Sequence, residues 1–188
     1  AESDFVRFLD EERGYQVETE RMPLYIIWLA IHQWLSGSMT PLFPALTQGA
    51  VDAFACVLIA RTAALLDSRL LMPAGLIAAF NPTQFVVSAM ILTDSLFFFF
   101  VCLMLYAAIR WLREPSWRWA LLLGLALGLG VSTRVMLLPA VAALAIVLPL
   151  ALIWLRRFRV VALAHVVTYV VICAALQAPI VARNVSIY

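Results

Sequence analysis

The sequence predicts an all-α protein: a polytopic transmembrane bundle of about six spans with two juxtamembrane helices on its extracytoplasmic side. Three observations predict it. Apolar residues make up 65% of the chain and charged residues 13%, whereas soluble domains sit near half and a quarter. A water-soluble fold of 188 residues has too little interior to hide that much apolar surface. The charged residues also fall between apolar runs that approach the roughly 20 residues needed to cross a hydrocarbon core. Finally, runs such as LFFFFVCLMLYAAI at 96–109 do not alternate apolar with polar residues, which excludes the strands of an outer-membrane barrel.

Two parts follow, an extracytoplasmic segment at 1–39 and the bundle at 40–188. Within the first, 3–12 reads as a short helix along the membrane surface. Ser3 caps it, Phe5, Phe8 and Leu9 recur at helical spacing, and Asp4, Arg7, Glu11 and Glu12 surround them. Gly14 and the polar stretch to Glu20 make a loop. Residues 23–35 (PLYIIWLAIHQWL) are apolar yet too short to span, so they predict an interfacial or re-entrant helix with Pro23 in its first turn. The spans themselves are predicted at 40–61, 70–88, 90–110, 117–133, 135–155 and 160–182.

Orientation follows from arginine, the only cationic residue type present apart from histidine. One set of span ends carries Arg61, Arg69, Arg110, Arg113, Arg118, Arg156, Arg157 and Arg159, opposed by Asp67 and Glu114. The positive-inside rule makes these turns cytoplasmic, and Trp111, Trp117, Trp119 and Trp154 mark the same interface. The first forty residues, the turns near 81–94 and 132–134, and the segment after Pro179 then face outward. The absence of lysine, with abundant Ala, Leu and Arg, points to a GC-rich bacterial genome and so to the cell inner membrane. Because the basic residues are dispersed among membrane-proximal turns, no nucleic-acid surface is expected.

Within the spans, Cys56, Cys102 and Cys173 lack metal-ligand spacing and read as packing residues. Gly124, Gly128 and Gly130 read as close helix contacts. Asp52 lies deep in the first span with Gln48 one turn away, so it faces the bundle interior, as a structural contact or a substrate contact. If Asp94 lies at depth it needs a partner, and Arg134 is the nearest candidate in this topology. His32 and His165 read as packed or hydrogen-bonded residues, with metal binding an alternative for His32.

A set of short motifs resembles the GT-C glycosyltransferases of the protein mannosyltransferase and aminoarabinose transferase type. Glu20-Arg21-Met22-Pro23-Leu24-Tyr25 is similar to their E-[KR]-x-P-L-Y signature, and Asp4-x-x-x-Phe8 to their D-E-x-x-Y element. Asn81-Pro82 with Leu92-Thr93-Asp94-Ser95-Leu96-Phe97 resembles their P…[ST]-[ED]-x-L-F segment. Gly124-x-x-x-Gly128 through Ser132-Thr133-Arg134 resembles their G-x-x-x-G…[LS]-T-[RK] helix end, and Ala178-Pro179 with Arg183-Asn184 their P-W…R-N close. The five occur in the family's order, and they cover what is the amino-terminal half of a typical member.

The resemblance implies transfer of a sugar from a polyprenyl-phosphate-linked donor to an extracytoplasmic acceptor. It places Asp4 as the catalytic base, and Glu20, Arg21, Tyr25, Asp94, Arg134 and Arg183 among the substrate-binding residues. A carboxylate beside the acceptor removes its proton, and guanidinium groups fork onto the departing phosphate. The sequence names no cofactor and no metal ligand; a divalent metal ion is the one the resemblance admits, through Glu20. The plainer readings are a solvated acid at a helix start for Asp4 and a snorkelling side chain for Arg21. Two positions depart from the family pattern: Ser3 stands where the first acid of a pair is usual, and Phe8 where tyrosine is common. They motivate the alternative of a non-catalytic GT-C-like subunit with membrane lipid and membrane-protein partners. A transporter ranks third, for want of an internal repeat.

Overall fold

The computed structural model describes residues 23–37, 42–82, 93–157 and 160–185, the side chains of 183 and 184 excepted. Among these the chain is helical throughout, with no strand. The helices, in order, are α1 (Pro23–Ser36), α2 (Leu42–Leu66), α3 (Leu71–Ala79), α4 (Thr93–Arg113), α5 (Trp117–Thr133), α6 (Leu138–Trp154) and α7 (Val161–Val185), with 3-10 turns at Ser68–Leu70 and Val135–Leu137. The first expected surface helix, 3–12, lies outside the described residues.

The chain's own residues mark the helix ends. α1 closes at Gly37, whose φ of 62° is the left-handed conformation that glycine adopts without a Cβ clash, and whose amide donates to the Gln33 carbonyl. α2 runs one turn beyond its predicted end at Arg61, because Thr62–Leu66 continues the apolar helical sequence and the exposed Arg61 side chain reaches polar surroundings. Asp67 then stops it in an extended conformation (φ −145°, ψ 130°) and accepts the Arg69 amide at 2.9 Å, capping the 3-10 turn. α4 stops at Arg113, just before Glu114-Pro115, where the pre-proline residue disfavours helix.

The second predicted span is corrected. Instead of one helix over 70–88 there is a 3-10 turn, then α3, which closes at Phe80 (φ −92°, ψ 13°). Pro82 explains the stop: it lacks the N–H that would reach the Ala78 carbonyl, and its ring disfavours helical geometry at Asn81. Residues 83–92 lie outside the described residues. Among the described residues four helical segments are long and apolar enough to cross a membrane, Leu42–Leu66, Thr93–Arg113, Val135–Trp154 and Val161–Ala182, with Ser68–Ala79 and Trp117–Thr133 shorter. The expected count of six therefore holds only approximately.

α5 is the axis of the bundle, packed along its length against α4 and α7. At 17 residues it is about 25 Å long. Most of its surface packs on protein, with Ala120, Leu123, Ala126 and Leu127 wholly buried, while Leu121 and Leu125 are exposed on one face. Lipid tails are as apolar as leucine, so close van der Waals fit rather than water exclusion holds such helices together. The glycines supply that fit. A Cβ on Gly124 would sit 3.0 Å from the Tyr169 backbone and from Ile172 Cβ, and one on Gly128 would meet Leu176. The packing reading of these glycines is what the structure contains.

Large apolar side chains elsewhere point outward, among them Phe54 on α2, Ile146 and Leu150 on α6 and Val167 on α7. A helix apolar all round, as α6 is, belongs in lipid or a large core, and α6 buries only Leu148 and Leu152. Pro149 and Pro179 each remove one helical donor, which membrane helices tolerate when neighbours satisfy the freed carbonyl.

The contacts sort the bundle into two ends. The starts of α2 and α4, the finishes of α5 and α7, and helix α1 share one end; Trp111, Trp117 and His165 pack together at the other, where the ring centroids of Trp117 and His165 are 4.4 Å apart. Arg61, Arg69, Arg110, Arg113, Arg118, Arg156 and Arg157 all belong to that second end. Their segregation is the asymmetry that the positive-inside rule acts on.

Candidate functional site at the end bearing α1

Polar chemistry concentrates where α5 stops. The hydroxyl of Thr133 donates to the Gly130 carbonyl at 2.6 Å, and that of Ser132 to the Gly128 carbonyl at 3.0 Å. From α7, Gln177 Nε2 donates to both Gly128 O (2.7 Å) and Ser132 Oγ (2.9 Å). The Gly130 carbonyl also accepts the Arg134 amide at 3.0 Å, so the two hydroxyls add contacts there and Gln177 fastens the end of α5 to α7. The chain then leaves the helix at Arg134, which is extended (φ −152°, ψ 124°) before the Val135–Leu137 turn. That break projects the guanidinium sideways, out of the α5 axis.

Arg134 meets the first turn of α4. Its Nη2 lies 2.7 Å from Asp94 Oδ1, and its Cζ 5.6 Å from the centre of the Phe97 ring. Asp94 and Phe97 are three residues apart and so share one helix face. Both partners of the ion pair stay about one-third exposed, 37% for Arg134 and 35% for Asp94. A guanidinium carries five N–H donors in a planar fork, so one carboxylate oxygen leaves donors for an anion arriving from the exposed side.

Ser95, on the other flank of the same turn, ties α4 to α2. Its hydroxyl donates to Asp52 Oδ2 at 2.8 Å and accepts from Gln48 Nε2 at 2.9 Å, and all three residues are buried. Asp52 does face the bundle interior, in a structural contact between helices. In the sequence Ser95 is one member of the Leu92–Phe97 segment with no role of its own; its partners lie on α2, 43 and 47 residues away, and reach it because α2 and α4 run parallel.

α1 lies across this end. His32 is buried; its Nδ1 donates to the Trp28 carbonyl at 2.6 Å and its Nε2 contacts the Thr47 hydroxyl at 2.7 Å, joining α1 to α2. With both ring nitrogens engaged, His32 acts as a hydrogen-bonded packing residue rather than a ligand. Among the described residues no three His, Cys, Asp or Glu side chains converge as a metal site would require. Beneath α1 a groove of about 350 Å3 runs against α5 and α7, lined by Leu24, Ile27, Leu129, Ser132, Leu176 and Ile180. It is apolar except for Ser132, two residues before Arg134.

Tyr25 sits on α1 with its hydroxyl buried and without a hydrogen-bond partner among the described residues. Burial raises its pKa above the ordinary phenol value of 10.0, so the phenol remains a neutral donor throughout the physiological range. Of the residues predicted for the site, the structure thus brings Asp94 and Arg134 into contact and places Tyr25 on the helix that covers their end. Asp4, Glu20 and Arg21 lie outside the described residues. Arg183 is in the last turn of α7, which finishes at this same end, and its side chain is not described.

A family model described as dolichyl-phosphate-mannose-protein mannosyltransferase matches residues 22–182. The chain belongs to that family. The match runs from the start of α1 to the last turns of α7, so it takes in every described helix and both partners of the Asp94–Arg134 pair. No curated protein and no solved structure matches the chain. This mannosyltransferase-family chain is thereby a multi-pass membrane protein of GT-C type, and the break after α5, within the matched residues, is the point from which Arg134 is presented.

Proposed function

We propose that this chain transfers a sugar from a polyprenyl-phosphate carrier to an acceptor at the end bearing α1, which faces the extracytoplasmic side of the cell inner membrane. The observation that carries the reading is the partly exposed Arg134 guanidinium, held by Asp94 and Phe97 at the same end of the bundle as the apolar groove beneath α1, whose lining reaches Ser132. A lipid phosphate needs a cation at the membrane interface and an apolar surface for its chain; this end offers both. The family is described as dolichyl-phosphate-mannose-protein mannosyltransferase, and a polyprenyl-phosphate sugar is the donor class proposed for this chain.

The step needs four events. The acceptor oxygen bonds to the sugar's anomeric carbon; the bond from that carbon to the phosphate oxygen breaks, and its electron pair leaves with the phosphate. The acceptor's proton passes to the base, for which Asp4 is proposed. Negative charge therefore grows on the phosphate as the bond breaks, and a preorganised cation stabilises that change more than it stabilises the bound donor. Arg134 is proposed for that cation, with Arg21 and Arg183 as further guanidiniums, Glu20 and Tyr25 as donor or acceptor contacts, and Asp94 as the group that positions Arg134.

Transfer of labelled sugar from a panel of polyprenyl-phosphate donors tests the reading. Asp4→Asn is expected to lower transfer about 100-fold or more with donor binding retained. Tyr25→Phe is expected to leave the unfolding midpoint unchanged, since the hydroxyl has no partner to lose among the described residues, while raising KM for the donor several-fold. Full transfer by Asp4→Asn rejects the base assignment. Absence of transfer by the wild type within its native membrane, across donors and acceptors, favours the non-catalytic subunit of a larger membrane complex instead.

A further inference from the structure

At the opposite, arginine-rich end a second recess opens between α2 and α4. Arg61, Ala64, Leu71, Tyr106 and Arg110 line a cavity of about 580 Å3 there. It shares Val57, Arg61 and Tyr106 with a slot of about 440 Å3, bounded by Phe54, Leu58, Phe99 and Leu103 and almost wholly apolar. Phe54 and Leu58 precede Arg61 on α2, as Phe99 and Leu103 precede Arg110 on α4. Because the two helices run parallel, the slot extends from the paired arginines toward the middle of the membrane, over about 10 Å of α2.

The two arginines are poised for an anion. Among the described residues neither forms an ion pair with a carboxylate. Arg110 Cζ lies 4.6 Å from the centre of the Trp119 ring and 6.0 Å from that of Tyr106. Stacking holds the guanidinium plane while leaving its in-plane N–H donors unused, and Arg110 Nε is buried without a hydrogen-bond partner among the described residues. Arg61 is exposed on the facing helix and supplies the second charge. A buried donor without an acceptor is costly, and a pair of guanidiniums above an apolar slot complements the charge and shape of a phosphate ester bearing an acyl chain.

We infer that this recess binds one anionic glycerophospholipid of the leaflet at the arginine-rich end, its phosphate between Arg61 and Arg110 and one acyl chain in the slot. The site is distinct from the proposed transfer site, which lies at the other end of the bundle, and it does not depend on that activity.

Native mass spectrometry of the full chain released from nanodiscs tests this, using equal parts phosphatidylglycerol and phosphatidylcholine with identical acyl chains. The wild type should retain one phosphatidylglycerol in about tenfold preference, two arginines at a membrane surface being worth that much or more. Arg61→Gln, a change at an exposed position, and Arg61→Gln/Arg110→Gln should reduce or abolish the preference. Arg113→Gln/Arg118→Gln, which removes the same charge at the same end, should keep it. Leu103→Trp fills the slot and should displace the lipid with both arginines intact. Equal retention of the two lipids by the wild type, or equal loss in the control double variant, overturns the assignment.

Discussion

Replacing Arg134 by glutamine is expected to lower sugar transfer at least about 100-fold, the scale seen when one preorganised donor to a developing oxyanion is lost. The loss should appear in kcat more than in donor KM, because the phosphate carries more charge in the transition state than in the bound donor. Arg134→Lys should recover part of the rate, since it keeps the charge and loses the fork. Asp94→Asn should fall between: the guanidinium keeps a neutral acceptor and the Phe97 face but loses the charge that holds its orientation. Stability separates this from a folding defect. The Asp94–Arg134 pair is about one-third exposed on each side, and such a pair contributes about 1 kcal/mol at most, so the unfolding midpoint should barely move. Unchanged transfer by Arg134→Gln would remove this residue from the chemistry.

The largest stability effect is expected at Gly124. A Cβ there meets the Tyr169 backbone at 3.0 Å as well as Ile172 Cβ, so accommodation requires helix α7 itself to move. Gly124→Leu should therefore cost about 3 kcal/mol, the upper range for overpacking, measured as the shift in denaturant-induced unfolding in detergent micelles. Gly128→Ala makes an informative contrast, since its nearest obstacle is the end of the Leu176 side chain at 2.5 Å, which can rotate aside, with Leu176 Cβ at 3.2 Å and Cys173 Cα at 3.3 Å leaving a tight but less severe fit; a smaller loss is expected. Gly124→Leu should also reduce transfer, because α7 carries Gln177, whose amide holds the end of α5 immediately before Arg134. Equal stability of both variants and the wild type would mean that α5 and α7 are not in contact as described.

Much of this architecture is legible in the sequence because hydrocarbon imposes a simple demand: apolar residues over a fixed length, with charge confined to the ends. The limits of α5 at Trp117 and Thr133 follow from Pro115 and from the polar Ser132-Thr133-Arg134. The pairing of Arg134 with Asp94 also follows, from topology and the cost of a lone charge near the membrane. The break in α3 was harder to see. Apolar residues return at Phe85-Val86-Val87 after Asn81-Pro82, and a hydrophobicity profile does not register that a proline interrupts the hydrogen-bond ladder. Phe97 and Ser95 carry no role of their own in the Leu92–Phe97 segment: Phe97 opens a run of four phenylalanines and Ser95 follows two polar residues, and only the three-dimensional facing of α4 toward α2 and Arg134 separates them from their neighbours. The Arg61–Arg110 recess had no linear signal, because its two cations are distant in sequence and read alone as ordinary headgroup contacts.

The most direct measurement is photo-crosslinking with a polyprenyl phosphate carrying a photoreactive group beside the phosphate, mapped by mass spectrometry of the full chain in membranes. The account predicts adducts at the end bearing α1, on Phe97, Ser132, Arg134 or Gln177, competed by unlabelled polyprenyl phosphate and lost in Arg134→Gln. Adducts confined to the arginine-rich end, or labelling that unlabelled carrier does not compete, would contradict it.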